Sequence, residues 1–264
     1  VYAFVKYPEL RLHREDWHIT KHDLLRHLIQ GVPLGLQFSV LAVGIIVMQS
    51  VIVQFDTLGG EMVSNAAQNG FGAANKLNNL LMTPLNGLGA AMTSFTAQNL
   101  GAGNHARIKK GTAQALLVVW IMCLISIAAG LLLSRGGAYL YLFLSPDKVT
   151  AETLRYGNTY LYIDLSLYLF LGFIFVVRNC VQGIGRPQYV LGAGAAELIT
   201  RVSVCLLLPP LLAGGTVSAA APRAAVYALC FADPFAWIAA DAVLLVPFLR
   251  NIMRMDYSYL RGGM

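Results

Sequence analysis

Apolar residues fall in long runs along the chain, and charged residues cluster between them. Six runs can be drawn, over residues 28–54, 66–98, 112–134, 155–180, 188–213 and 224–249. Each reaches the ~20 residues that a helix needs to cross a hydrocarbon core about 30 Å thick. No alternation of barrel type is visible, and a helix satisfies its own backbone in lipid. The pattern predicts an all-α polytopic membrane protein. Six transmembrane helices occupy 28–250, a polar connector 1–27 and a short tail 251–264.

The second run departs from the others. Gln68, Asn75, Asn79, Asn86 and Thr93 are spaced by 7, 4, 7 and 7 residues. At the helical period they fall within about 20° of one meridian. A lipid-facing seam of this kind would cost several kcal/mol per unsatisfied group, so it faces protein or water. Two readings are open: hydrogen bonds that tie helices together, or one wall of a water-filled cavity. Pro84 interrupts the same run, and Gly87 and Gly89 follow it. They fit a helix bend or close packing of a neighbouring helix.

Composition agrees with a membrane solvent. The chain is 57% hydrophobic and 12% charged, where soluble domains carry about a quarter charged residues. The net charge of +6 comes without a basic stripe interleaved with aromatics, so nucleic acid is not an expected partner. Of the 19 Lys and Arg residues, 13 fall in one set of alternate loops: Lys6, Arg11, Arg14, Lys21 and Arg26; Arg107, Lys109 and Lys110; Arg178 and Arg186; Arg250, Arg254 and Arg261. The other set holds Arg135, Lys148, Arg155 and Arg223, while Lys76 and Arg201 lie inside runs. That asymmetry predicts a multi-pass protein of the cell membrane with both termini of this chain cytoplasmic. Residues 1–27 read as a connector leaving an earlier span, so the chain is expected to be a piece of something longer.

His13, His18, His22 and His27 lie in that connector without a Cys or carboxylate pattern, and no metal site is expected there. Cys123, Cys180, Cys205 and Cys230 are scattered singly through apolar runs, which suits buried free thiols.

Ionisable residues inside apolar runs are expensive and point to function. Asp164 has Tyr160 and Tyr168 one turn away on either side, so one face carries a carboxylate between two phenols. It is a candidate for ion or proton coupling, or a hydrogen-bonded tie between helices. Glu197 and Arg201 stand at i,i+4 in the favourable order and read as a structural ion pair. Asp233, Trp237 and Asp241 repeat every fourth residue; Asp233 fits a helix cap, and Asp241 is a second coupling candidate.

The runs GVPLGLQFSVLAVGIIVMQSVI, LLMTPLNGLGAAMTSFTAQNLGAGNHARIKKG, VQGIGRP, ELITRV and ADPFAWI, in that order, resemble the C-terminal half of the multidrug and toxic compound extrusion (MATE) family. The resemblance covers about residues 5–254, and GLGAAMTSFTAQNLGAG followed by a basic cluster is its most specific part. It implies a twelve-helix antiporter of two six-helix lobes, exporting drugs and organic cations against inward flow of H+ or Na+, without a bound cofactor. This chain would be the second lobe, with the missing N-terminal lobe and the bilayer as partners. Pro33, Gln37 and Gln49 match the first helix of that lobe. Pro84, Gly87, Gly89, Gln98, Gly101 and Ala102 match the second-helix signature, and Gln182, Gly183, Gly185 and Pro187 the turn after the fourth helix. Many members place a coupling carboxylate in the first lobe and others in the first helix of the second, where residues 28–54 have none. Asp164 is then the candidate by elimination, and Gln49 is expected opposite the amide seam.

Two further readings stand beside efflux. A lipid-linked oligosaccharide flippase would need a more cationic cavity for a phosphate-bearing head group. An inactive or partner-dependent half-transporter would fit a naturally short chain. No nucleophile–base constellation, HExxH or cofactor loop points to an enzyme.

Overall fold

The computed structural model describes residues 5–7 and 20–254, apart from the side chains of residues 26 and 30. His13, His18, Arg11, Arg14 and Arg261 lie outside the described residues. The protein is a bundle of helices: α1 (Lys21–Gln54), α2 (Ala66–Gly101), α3 (His105–Ser134), α4 (Ala138–Phe143), α5 (Ala151–Ser166), α6 (Tyr168–Gly183), α7 (Pro187–Ala213), α8 (Arg223–Cys230) and α9 (Ala232–Pro247). A π-helical turn, Phe248–Met253, extends α9. A short antiparallel hairpin, β1 (Thr57–Leu58) with β2 (Glu61–Met62), turns at Gly59 and Gly60, whose φ angles of 63° and 90° suit the twist of a tight hairpin.

Helix starts follow caps rather than hydropathy. The first helix begins at Lys21, ahead of the apolar run, because the Thr20 hydroxyl accepts the Asp23 N–H at 3.2 Å. Thr150 caps α5 in the same way, accepting the Thr153 N–H at 3.1 Å. The start of α2 is capped from a distance: the buried Asp56 carboxylate accepts the Ala67 and Gln68 N–H groups at 3.0 and 2.9 Å. The hairpin that Asp56 precedes is tied to the α7–α8 loop through Ala219 N–H and the Thr57 carbonyl, 2.8 Å apart. Asp56→Ala is therefore expected to cost about 1–2 kcal/mol, read as a lower thermal midpoint of the full-length protein. Asp56→Asn, which retains one acceptor, should lose less. Equal midpoints for Asp56→Ala and wild type would show that the remote cap contributes nothing.

Four stretches are long and apolar enough to cross a membrane alone: Lys21–Gln54, His105–Phe143, Pro187–Ala213 and Arg223–Met253. The pair α5 and α6, bent by 57°, makes a fifth if taken as one broken span. Helix α2 is long enough at 36 residues, but its amides leave it outside the apolar set. The most apolar of these spans, the one containing α3, is also the least buried, with Leu117, Ile121, Leu124, Ile125 and Leu132 on the outer surface. That inverts the order expected in water and suits hydrocarbon as the outer solvent.

The core lies where α2 and α9 meet α5, α6 and α7, around Leu77, Leu85, Leu161, Val176, Val177 and Leu244. Sequence predicts one continuous helix over 155–180; instead the chain breaks at Leu167. Neither Pro nor Gly stands at the break. The Ser166 hydroxyl donates to the Ile163 carbonyl at 2.7 Å, and the Leu167 N–H turns back to the Asp164 carbonyl at 3.2 Å. Such back-bonding competes with the helical ladder and bends it.

Candidate functional site

A cavity of about 540 Å³ opens between α1, α2, α6 and α7, with Tyr160 of α5 and Asp233 and Trp237 of α9 at its back. Asn75, Asn79 and Asn86 lie on its wall together with Asn78. The three seam amides bond along their own helix. Asn79 donates to the Asn75 side-chain oxygen at 2.6 Å, and Asn86 donates to the Met82 carbonyl at 3.3 Å. Their hydrogen bonds do not tie α2 to a neighbour.

The two ends of the seam leave the cavity. Gln68 lies at the start of α2, its side chain near the Met62 sulfur at 4.0 Å. Thr93 donates to the Asn179 side-chain oxygen of α6 at 2.8 Å and so joins two helices. The seam is a straight line on one helix, but its neighbours change along it: hairpin, cavity, then α6. Gln49, expected opposite the seam, is exposed and off the cavity wall. Gln37, three turns earlier on α1, occupies that place instead, buried, with its side-chain oxygen unpartnered.

Pro84 is exposed and α2 runs unbroken through it. Gly89 packs on α6, where a Cβ would meet Asn179 and the Phe175 carbonyl. Gly87 faces open space within 4 Å and is not a packing glycine.

Behind the amides runs a chain of buried charges. Arg178 of α6 donates to Glu197 at 2.8 Å, and Arg201 contacts the same carboxylate at 3.4 Å. The Arg201 Nε then donates to Asp233 of α9 at 2.7 Å, and the Tyr160 hydroxyl donates to the other Asp233 oxygen at 3.0 Å. Glu197 and Arg201 thus form no isolated pair; they are the middle of a chain joining α6, α7, α9 and α5. Asp233 is an acceptor in this chain, not a free cap. Arg178, counted in a loop by its sequence position, points inward with a side chain 15% exposed. A guanidinium at a helix end reaches back into the bundle when a carboxylate waits there.

Asp164 is fully buried next to the helix break and accepts from Asn78 Nδ2 at 2.9 Å, while its Oδ1 has no partner. Tyr160 is close to it but bonds Asp233. Tyr168 stands beyond the break and does not share the Asp164 face. It packs edge-on against Trp237 with ring centroids 6.3 Å apart, its hydroxyl unpartnered. Asp241 is partly buried on α9, off the cavity wall, with Oδ1 unpartnered.

Sequence reasoning missed Asn78, Arg178 and Asp56 as functional or organising residues, and named Gln37 only through the family resemblance, with Gln49 expected in its place. Asn78 lies well off the seam, and its signal was a buried amide among apolar neighbours Leu77 and Ala74. Among the described residues no cluster of three His, Cys, Asp or Glu could hold a metal ion. Cys123, Cys180, Cys205 and Cys230 are buried free thiols.

Over 174 residues the chain is 32% identical to Probable multidrug resistance protein YpnP of Bacillus subtilis (strain 168), a match covering 61% of this chain and 33% of that protein. Over 99% of its length it superposes, with a TM-score of 0.68 at 18% identity, on a structure of a multidrug resistance MATE family transporter of the MOP superfamily in an outward-facing conformation. A crystal structure of MATE in complex with MaL6 matches with a TM-score of 0.67, 18% identity and 99% coverage of this chain. The chain spans about a third of the curated relative and 53% of each solved transporter. These structures share its fold, an all-α lobe of a polytopic membrane protein. The MatE family model matches residues 40–207, more than half of the chain, and the chain belongs to that family.

Proposed function

We propose that this chain is the C-terminal lobe of a secondary active efflux transporter that exports drugs or organic cations in exchange for H+ or Na+. It works in the cell membrane against an N-terminal lobe, with both of its own termini on the cytoplasmic side. The observation that carries this reading is the cavity. Asn75, Asn79 and Asn86 of α2 line one flank, apolar side chains such as Phe38 and Leu41 of α1 and Phe175 of α6 line the others beside Gln37 and Asn179, and Trp237 stands at the back with the buried Asp233. A bulky cation fits such a wall, because apolar contact supplies affinity and neutral amides hydrate its charge without trapping it. Loading an ion or proton at Asp164, which lies behind the wall and is joined to it through Asn78, changes the charge next to the cavity. That biases rocking between outward and inward states, provided the ion binds the two states unequally.

A flippase fits this wall less well. Arg178 is paired with Glu197, and Arg201 with Glu197 and Asp233, so the charge of both guanidinium groups is already neutralised and offers a phosphate-bearing head group little attraction.

The test is Asn79→Leu in the full-length transporter. Removing one polar contact worth about 1 kcal/mol should raise the half-saturating concentration of an organic cation roughly three- to tenfold. Membrane abundance should stay level, and Gln49→Leu should change neither quantity. Unchanged transport by Asn79→Leu at equal abundance removes the amide wall from the substrate path.

A further inference from the structure

Four buried or partly buried carboxylates, Asp164, Glu197, Asp233 and Asp241, share this region with two guanidinium groups, Arg178 and Arg201. The nearest further cation along α2, Lys76, is exposed and sits over the Phe143 ring at 5.9 Å. Glu197 is held between both arginines, and Asp233 between Arg201 and Tyr160. Those four charges cancel. The two carboxylates left over are Asp164 and Asp241, at opposite ends of the chain, and each has a buried oxygen without a donor. An uncompensated negative charge is costly at fully buried Asp164, and at partly buried Asp241 the oxygen turned inward meets the same penalty. Each must be balanced within the folded lobe.

We propose that Asp241 is a second proton site of this lobe, separate from the carboxylate at Asp164. This rests on the transport reading for its use, but not for its chemistry. The charged groups that reach Asp241 are Arg178 from α6 and Glu197 from α7. On its own helix Asp233 lies eight residues earlier, about 12 Å along the axis, and is turned to Arg201 and Tyr160. Asp164 and Tyr160 of α5 interact with Asp233, and Arg223 and Tyr227 of α8 and Arg250 of the π-turn are exposed. A metal cation would need several oxygens around it, and Arg178 is a poor neighbour for one. A proton needs no such set, and Asp241 is exposed enough to receive one.

The consequence for the cavity follows from Arg178. With Asp241 protonated, Arg178 belongs to Glu197. With Asp241 ionised, its charge competes with Glu197 for the guanidinium, which bonds Glu197 alone among the contacts described, and the hold on Glu197 weakens. Glu197 then leans more on Arg201, whose other partner, Asp233, lines the cavity. One proton at Asp241 is thus transmitted to the cavity wall through the charge chain.

Infrared difference spectroscopy of the full-length protein in lipid nanodiscs tests this during a pH titration without added drug. Among the titrating carboxylic C=O bands of wild type, one should belong to Asp164 and one to Asp241. Asp241→Asn should remove one and shift the other, and Asp164→Asn should remove the second. The same two bands in Asp241→Asn as in wild type would overturn the proposal. So would an Asp241 band that responds to Na+ at fixed pH. If Asp241→Asn does not fold, Asp241→Glu keeps the carboxyl and should move one band in frequency; an unmoved spectrum again overturns the assignment. Export of tetraphenylphosphonium by proteoliposomes is scored separately. Its absence would sink the transport reading and leave the proton count standing.

Discussion

Replacing Arg201 with Met is expected to destabilise the full-length protein by about 3–5 kcal/mol, the cost of leaving buried charge without its partner. Arg201 is 5% exposed and serves two carboxylates on two helices, Glu197 at 3.4 Å and Asp233 at 2.7 Å. Met fills much of the same volume, so the loss is electrostatic rather than a cavity. Glu197 would retain Arg178, but Asp233 would retain only the Tyr160 hydroxyl among the hydrogen bonds described. Adding Asp233→Asn removes the stranded charge and should recover a large part of the loss, which is the signature of a coupled pair. The four buried thiols provide the measurement, since a thiol-reactive fluorogenic dye reports their exposure as the protein melts. Equal midpoints for the single and double variants would show that Asp233 does not depend on Arg201.

Gly70→Ala is the second large effect, and Gly72→Ala is its control on the same helix. A Cβ at Gly70 would meet the Thr153 carbonyl, the Gly157 nitrogen and Tyr156, and Gly157 in turn faces Gly70 and the Tyr139 hydroxyl. Two backbones, α2 and α5, touch there, so neither can yield by changing a rotamer. Overpacking of this kind costs about 1–3 kcal/mol. At Gly72 nothing lies within 4 Å, and Ala gains helix propensity worth up to about 1 kcal/mol. Gly70→Ala should therefore melt lower and accumulate less in the membrane, while Gly72→Ala should equal or exceed wild type. Equal losses at both positions would mean that glycine matters here for helix flexibility, not for helix contact.

Both predictions use positions that pattern reading treated lightly. The glycine count along α2 does not separate Gly70 from Gly72, nor Gly89 from Gly87; the difference is whether another backbone passes within reach. The four-residue spacing of Glu197 and Arg201 is legible as a pair, but a pair is all that one helix can show. Arg178 and Asp233, on other helices, turn it into a chain. Arg178 looked like a loop charge because a long side chain hides which way it points. The Tyr160–Asp164–Tyr168 face assumed an unbroken helix, and the back-bonded turn at Ser166 and Leu167 divides it.

Hydropathy was sufficient to read a helical membrane protein, because a bilayer constrains the length and polarity of each segment. Helical period was likewise sufficient to align Asn75, Asn79 and Asn86, since all three belong to one element. What that line faces is a different matter. Gln68, Asn79 and Thr93 share a meridian, yet one meets the hairpin, one the cavity and one α6. Neighbours are set by how helices cross, and crossing depends on close contacts such as Gly70 against Gly157 that no single-helix pattern records. The charge chain from Arg178 to Tyr160 belongs to that level too: its members come from four helices, and folding alone brings them within hydrogen-bond reach.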